Sequence, residues 1–129
     1  LVKDHGIKRG ILLPVSAPFH CPLMQPAADR MADALGQTAL NAPYVPVFAN
    51  VLAAPVSEPD EIRKLLVEQV TGRVRWRESA IAMRDAGVSH FFEFGGKVLS
   101  PMVKRSAGDE VATTSIISMD DIEAALKEL

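Results

Sequence analysis

The chain has one cysteine, one tryptophan and one tyrosine, and it has no excess of basic charge. Each shortage excludes something. A single cysteine, Cys21, rules out an internal disulfide and favours a reducing compartment. Fourteen Lys and Arg against sixteen Asp and Glu leave a net charge of -2, so no basic field is available to hold a nucleic-acid backbone. No apolar run reaches membrane-spanning length and no signal-peptide pattern opens the chain. The expectation is a cytoplasmic protein that works with neither nucleic acid nor membrane. The phosphate-loop frame G-x-x-x-x-G-K-[ST] is also missing, which makes 95-GGK-97 a glycine-rich turn into a helix. The three histidines show no metal-ligand spacing, and zinc is not expected. Finally, the chain opens 1-LVKDHGIKRG-10 rather than on methionine, so a processed or truncated start, and a longer parent protein, are expected.

What remains is a globular composition. Of 129 residues, 48% are hydrophobic and 23% charged, which fits one soluble folded unit and argues against disorder. The stretch 11-ILLPVSAP-18 reads as a short strand, with Pro14 and Pro18 marking an edge or an ending. From Pro22 the apolar residues Met24, Ala27, Ala28, Met31, Ala34 and Leu35 fall at the spacing of a one-sided helix. Pro22 suits its first turn, so His20 lies just before a helix N-terminus. A strand is expected in 45-VPVFANV-51. A helix follows in 57-SEPDEIRKLLVEQV-70, with Ser57 as cap and Asp60 answering it. Another helix, 76-WRESAIAMRDAG-87, stops at Gly87. Then come strand 89-SHFFEF-94, a Gly95-Gly96 turn and helix 98-VLSPMVKR-105, which Pro101 enters near its start. Strand 112-ATTSII-117 leads to helix 119-MDDIEAALKEL-129, capped by Ser118 with Asp121, its buried stripe being Ile122, Ala125, Leu126 and Leu129. Strands alternating with helices predict an α/β protein with a largely parallel sheet. About three strands after His20 are few for a complete doubly wound sheet.

The residues alone leave the chemistry open. His20 is either a satisfied structural histidine, the commoner case, or a catalyst. His5 and His90 read as structural or solvent-facing. Cys21 adjoins His20, but neighbours on an extended chain point to opposite faces, so it reads as a small packing residue rather than a nucleophile. The acidic pairs Asp60-Glu61, Asp109-Glu110 and Asp120-Asp121 sit at helix starts or in a loop, where they favour the helix dipole or stay solvated.

Four blocks occur in register: 14-PVSAPFHCPLMQPAADRM-31, 42-APYVPVFANV-51, 67-VEQVTGRVRWRES-79 and 92-FEFGGKVLSPMVKR-105. Together they resemble the carboxy-terminal portion of the malonyl-CoA:acyl carrier protein transacylases of bacterial fatty-acid synthesis. The resemblance implies an α/β fold that is the carboxy-terminal part of an α/β-hydrolase-like acyltransferase domain plus the end of its ferredoxin-like subdomain. Residues 1–19 would close the small subdomain, and 20–129 would belong to the large one. In that family a serine in a G-H-S-x-G elbow takes the malonyl group from malonyl-CoA and passes it to the phosphopantetheine thiol of acyl carrier protein. His20 matches the histidine that activates the serine. An imidazole, which titrates near neutral pH, can accept the serine proton and return it to the leaving thiol. Gln69 matches the residue whose backbone carbonyl holds one ring nitrogen, leaving the other to face the serine.

Phe19 matches a position tied to acyl choice in related polyketide acyltransferases, where a bulky ring before the histidine goes with malonyl and a smaller residue with methylmalonyl. Asn50, in 48-FAN-50, fits the family pattern without an evident chemical role. Two departures stand out. The family turn G-P-G-K-V-L appears as 95-GGKVL-99, without the proline. No G-x-S-x-G occurs, so the nucleophile, its oxyanion elbow and the family's malonyl-gripping arginine are not on this chain. The partners implied are malonyl-CoA, acyl carrier protein and an amino-terminal segment bearing the serine. Coenzyme A and phosphopantetheine enter as substrates, and no metal or held cofactor is implied. An inert fragment, or part of a polyketide synthase acyltransferase domain, are the alternatives. A standalone interaction domain is least favoured, since such a piece should expose apolar surface.

Overall fold

Proline opens the first two α-helices, and glycine follows several helix ends. In the computed structural model, which describes residues 3–6, 10–11 and 14–127, Pro22 starts a 3-10 turn, Pro22–Met24, that runs into α1 (Gln25–Gly36) with Pro26 in its first turn. Pro59 opens α2 (Pro59–Glu68). Each proline stands where its missing N–H has no partner to lose. Helix α3 (Trp76–Asp85) is followed by Gly87 at φ +95, and α4 (Leu99–Ala107) by Gly108 at φ +103, values a side chain resists. A further 3-10 turn spans Lys3–His5.

Among the described residues, two separate two-stranded sheets replace the expected largely parallel one. Strands β1 (Val47–Ala49) and β2 (Ala54–Val56) form an antiparallel hairpin with Val47 opposite Val56. Its turn forces Ala53 to φ +52, and the Ala53 N–H donates to the Ala49 carbonyl at 2.8 Å. Strand β2 escapes the sequence pattern because it is three residues long and contains Pro55, which an edge strand tolerates. Strands β3 (His90–Phe94) and β4 (Ala112–Ile116) pair in parallel, His90 beside Ala112 and Phe94 beside Ile116. A parallel pair needs a crossover, and α4 is that crossover. Helix α5 (Met119–Ala125) returns against β4, α3 packs on α4, and α1 packs on α2.

Three expectations need correction. The described part of 11–18 forms no strand, while residues 12 and 13 lie outside the described residues. Pro14 and Pro18 withhold ladder donors there. Ser57 does not cap α2: Glu58 holds the N-cap position without a side-chain cap, because the helix begins at Pro59. Of the stripe expected for α5, Ala125 is buried, Ile122 and Leu126 are exposed, and Leu129 lies outside the described residues.

Ala80, Val103, Ala107 and Val111 form one small core, joined by Trp76 and Phe91. Ala49, Val56 and Leu65 form another, with Val51 and Ile62 against it. Both are built from small side chains. Several large ones stay outside: Phe94 is 73% exposed, and Phe92, Phe94, Ile122 and Leu126, with the buried Ile116 behind them, line an open groove of about 220 Å³.

Helix α4 has no cap of its own at Val98. Glu93, at the end of β3, supplies one from across the glycine turn. Its carboxylate accepts from the backbone N–H of Val98 at 2.8 Å, Leu99 at 2.9 Å and Ser100 at 2.8 Å, and from the Ser100 hydroxyl at 2.8 Å. Partial burial opposes this charge, but the four donors outweigh it and bring the carboxyl from its ordinary 4.5 down to about 2. At α5, Ser118 Oγ accepts from the Asp121 N–H at 3.2 Å. The Asp121 carboxylate accepts from the Ile117 and Ser118 N–H groups, each at 3.0 Å, completing a capping box.

A carboxyl whose folded pKa is depressed stabilises the fold above its unfolded pKa and ceases to as pH falls through the folded value. Denaturant unfolding of the wild type should therefore show a loss of stability between pH 4.5 and about 2 that Glu93→Gln lacks. Parallel pH profiles would assign that loss to other groups. Ser118→Ala should lower unfolding stability by about 1 kcal/mol at neutral pH; an unchanged denaturation midpoint would show that the box adds nothing to α5.

Candidate active site

His20 occupies a tight turn between the Pro14–Pro18 segment and the 3-10 turn before α1. Its backbone is left-handed, φ +56, which non-glycine residues adopt at a cost and histidine more readily than most. Such positions persist where the surroundings over-determine them. Here the determinant is the far end of α2. The last carbonyls of a helix lack partners within it. Gln69 holds the C-cap position of α2, and Gly72 closes the turn beyond it by donating its N–H to the Glu68 carbonyl at 3.0 Å. His20 Nδ1 lies 3.0 Å from the Gln69 carbonyl oxygen and 3.1 Å from that of Gly72.

Carbonyl oxygens only accept, so Nδ1 carries the proton and donates to both. In the neutral ring Nε2 is then the lone-pair nitrogen, and among the described residues it makes no hydrogen bond. The ring is thus an oriented, exposed base. The structure brings His20 and Gln69 together across 49 residues of sequence. Phe19 sits beside His20 in the same turn, 59% exposed, its N–H donating to the Ala17 carbonyl at 3.0 Å. Cys21 turns away: its Sγ donates to the Pro18 carbonyl at 3.0 Å. His90 is engaged elsewhere, stacked on Phe92 with ring centroids 4.1 Å apart and its Nε2 2.8 Å from Thr114 Oγ1. No serine among the described residues bonds to His20. Nor does any group of three or more His, Cys, Asp or Glu among them have the arrangement to hold a metal ion.

The second acceptor, Gly72, was not anticipated. Its signal is a T-G-R turn directly after an amphipathic helix, where free carbonyls collect. A Cβ at Gly72 would stand 3.1 Å from the Glu68 carbonyl oxygen and 3.8 Å from Val51, so the position is crowded. Arg75 was missed as well. Its Nη1 donates to the carbonyls of Val51 at 3.0 Å and Leu52 at 3.1 Å, strapping the loop after α2 to the β1–β2 turn. Glu78 steadies Arg75 and Arg73, its carboxylate 3.5 Å from Arg75 Nε and 3.2 Å from Arg73 Nη2. That carboxyl is held below the usual range, first by a backbone hydrogen bond and, against partial burial, by the two guanidinium groups. Asn50 fastens the same loop: its Nδ2 donates to the Arg73 carbonyl at 3.1 Å, and its Oδ1 accepts from the Arg75 N–H at 2.7 Å.

No protein-family model matches the chain. Individual proteins do. The malonyl CoA-acyl carrier protein transacylase of Escherichia coli (strain K12) is 42% identical over 128 residues, covering 98% of this chain and 41% of that protein. The crystal structure of an acyl-carrier-protein-S-malonyltransferase from Bartonella henselae superposes with a TM-score of 0.88 at 47% identity, over 98% of this chain and 40% of that one. A malonyl-transacylase solved in complex with its type II PKS acyl-carrier protein gives 0.87 at 33% identity, over 98% and 41%. The chain spans about two-fifths of the length of the curated relatives it matches. From its first block to its last, this α/β chain is a relative of the malonyl-CoA:acyl carrier protein transacylases, matching the carboxy-terminal part, about 40%, of those proteins.

Proposed function

We propose that this chain supplies the general base of a malonyl transfer from malonyl-CoA to the phosphopantetheine thiol of acyl carrier protein. The observation that carries the reading is the His20 ring, held at Nδ1 by two backbone carbonyls with Nε2 left for chemistry. The nucleophile is a serine in a G-H-S-x-G elbow on an amino-terminal segment. Nε2 takes the serine proton as Oγ attacks the thioester carbon, and the resulting imidazolium protonates the departing coenzyme A thiolate. In the second half the carrier thiol gives its proton to Nε2 and attacks the malonyl-serine ester. The proton then returns to the serine oxygen as the carrier thioester forms. The Gln69 and Gly72 carbonyls, facing Nδ1–H throughout, keep the ring in one orientation while its charge changes.

On this reading residues 1–19 end a ferredoxin-like subdomain, and 20–129 belong to a large α/β-hydrolase-like domain. The setting is fatty-acid synthesis in the cytoplasm, with malonyl-CoA and acyl carrier protein as partners. No helix among the described residues is long and apolar enough to cross a membrane. Phe19 lines the acyl pocket, where its ring leaves little room for a methyl branch on the acyl α-carbon.

Intact mass of the full-length protein carrying this chain, before and after malonyl-CoA, tests the reading: uptake of one malonyl group is expected. A protein that contains the elbow serine yet stays unmodified would sink it. His20→Ala should lower transfer to carrier protein by about 10²–10⁴-fold, whereas Gln69→Ala, which keeps the carbonyl, should do far less. Equal losses in the two variants would remove the backbone-held base from the mechanism. Phe19→Ser should raise methylmalonyl use relative to malonyl by about tenfold, the scale of one methyl group in a pocket. An unchanged ratio in competition assays would place Phe19 outside the acyl pocket.

A further inference from the structure

Gln69 and Gly72 reach His20 through main-chain atoms, so no side chain of theirs fixes where those oxygens point. The Gln69 carbonyl is placed by α2, whose final turn its own N–H joins by donating to the Leu65 carbonyl at 3.0 Å. The Gly72 carbonyl is placed differently. It belongs to the peptide unit just before Arg73, in a loop with no regular structure. We infer that Asn50 is a positioning residue for His20: its amide clamps the loop at Arg73 and Arg75 and so aims the Gly72 carbonyl at the imidazole.

The clamp uses both ends of the amide. Nδ2–H takes the Arg73 carbonyl and Oδ1 takes the Arg75 N–H, which grips the backbone on either side of Val74. Only a side chain with a donor and an acceptor on one planar group satisfies both. Aspartate loses the donor, alanine loses both ends, and glutamine is one methylene too long for the same reach. Asn50 itself is rigidly based, directly after β1 at the start of the turn that holds Ala53 at φ +52. The Arg75 guanidinium straps the loop to that same turn through the Val51 and Leu52 carbonyls. The path from hairpin to base is therefore short: β1, Asn50, the 73–75 backbone, the Gly72 carbonyl, His20 Nδ1. This deepens the acyl-transfer reading and rests on it for the kinetic consequence, though not for the tautomer.

The experiment measures two things on the full-length protein carrying this chain. Imidazole nitrogen NMR, with His20 assigned by its loss in His20→Gln, reads which ring nitrogen bears the proton in the neutral form. Steady-state transfer assays read kcat and the KM for malonyl-CoA. The wild type should show His20 as the Nδ1–H tautomer. Asn50→Ala and Asn50→Asp should both shift it toward Nε2–H and lower kcat by about 10- to 100-fold, the scale of a displaced catalytic group, with KM unchanged. Ser118→Ala, which weakens a distant helix, should move neither quantity. If Asn50→Ala fails to fold, Asn50→Asp, which keeps an acceptor for the Arg75 N–H, decides the matter. A variant that is destabilised but retains the wild-type tautomer and kcat overturns the inference and leaves Asn50 a purely structural residue. A wild type that transfers no malonyl overturns the acyl-transfer reading instead, and the tautomer arm still decides the role of Asn50.

Discussion

A helix cannot pair its own last carbonyl oxygens, and at the end of α2 the His20 ring pairs two that the helix and its closing turn present. That one interaction organises the site. It draws the segment before α1 onto the far end of α2 across 49 residues of sequence. It also assigns the proton to Nδ1 without any charged partner. A carboxylate in the same place would add a charge to desolvate and balance, whereas a carbonyl adds none and asks for no particular side chain at Gln69. The cost moves to the backbone. His20 accepts a left-handed φ, and Gly72 lies where a Cβ would crowd the Glu68 carbonyl.

A base oriented by main-chain atoms is only as fixed as the chain that carries them. Helix α2 fixes one acceptor through its own hydrogen bonds. The loop after it has no such ladder, and its order comes from outside: Asn50 on two backbone groups, Arg75 on two carbonyls of the hairpin turn, and Glu78 between two arginines. Each of these contacts is partly exposed, and the ion pairs among them add little on their own. Their combined effect is geometric. They tie an irregular loop to a hairpin whose core residues Ala49 and Val56 pack against Leu65 of α2, so the hairpin, α2 and the loop settle as one body.

Local signals in the sequence were readable where a short-range rule governs them. Pro22, Gly87 and the Ser118–Asp121 box mark boundaries that the structure reproduces, because caps and breakers act within one turn. His20 was expected just before a helix, and it is there. Expectations failed where a distant partner or a competing local rule decides. Strand β2 exists because β1 is beside it, and three residues containing Pro55 carry no pattern of their own. Ser57 has the right chemistry for a cap but loses the position to Pro59, which sets the helix start one residue later. The cap of α4 comes from Glu93 on the preceding strand, a contact no spacing rule describes. Within the site, the meeting of His20 and Gln69 was expected only from family resemblance. Gly72, Arg75 and the role of Asn50 required coordinates, since all three act through loop backbone.

The thin cores and the oriented base belong to one account. Small side chains make up most of what is buried, while Phe94, Met119 and Leu126 remain outside. These exposed residues add more apolar surface than the small cores cover. The groups that orient His20 are arranged differently. Gln69, Gly72, Asn50 and Arg75 all lie between residues 50 and 75, and the Asn50 clamp and the Arg75 strap find their backbone partners within that span. Phe19 and the exposed His20 ring form the outward half. Orientation of the His20 ring is therefore set by residues of this chain.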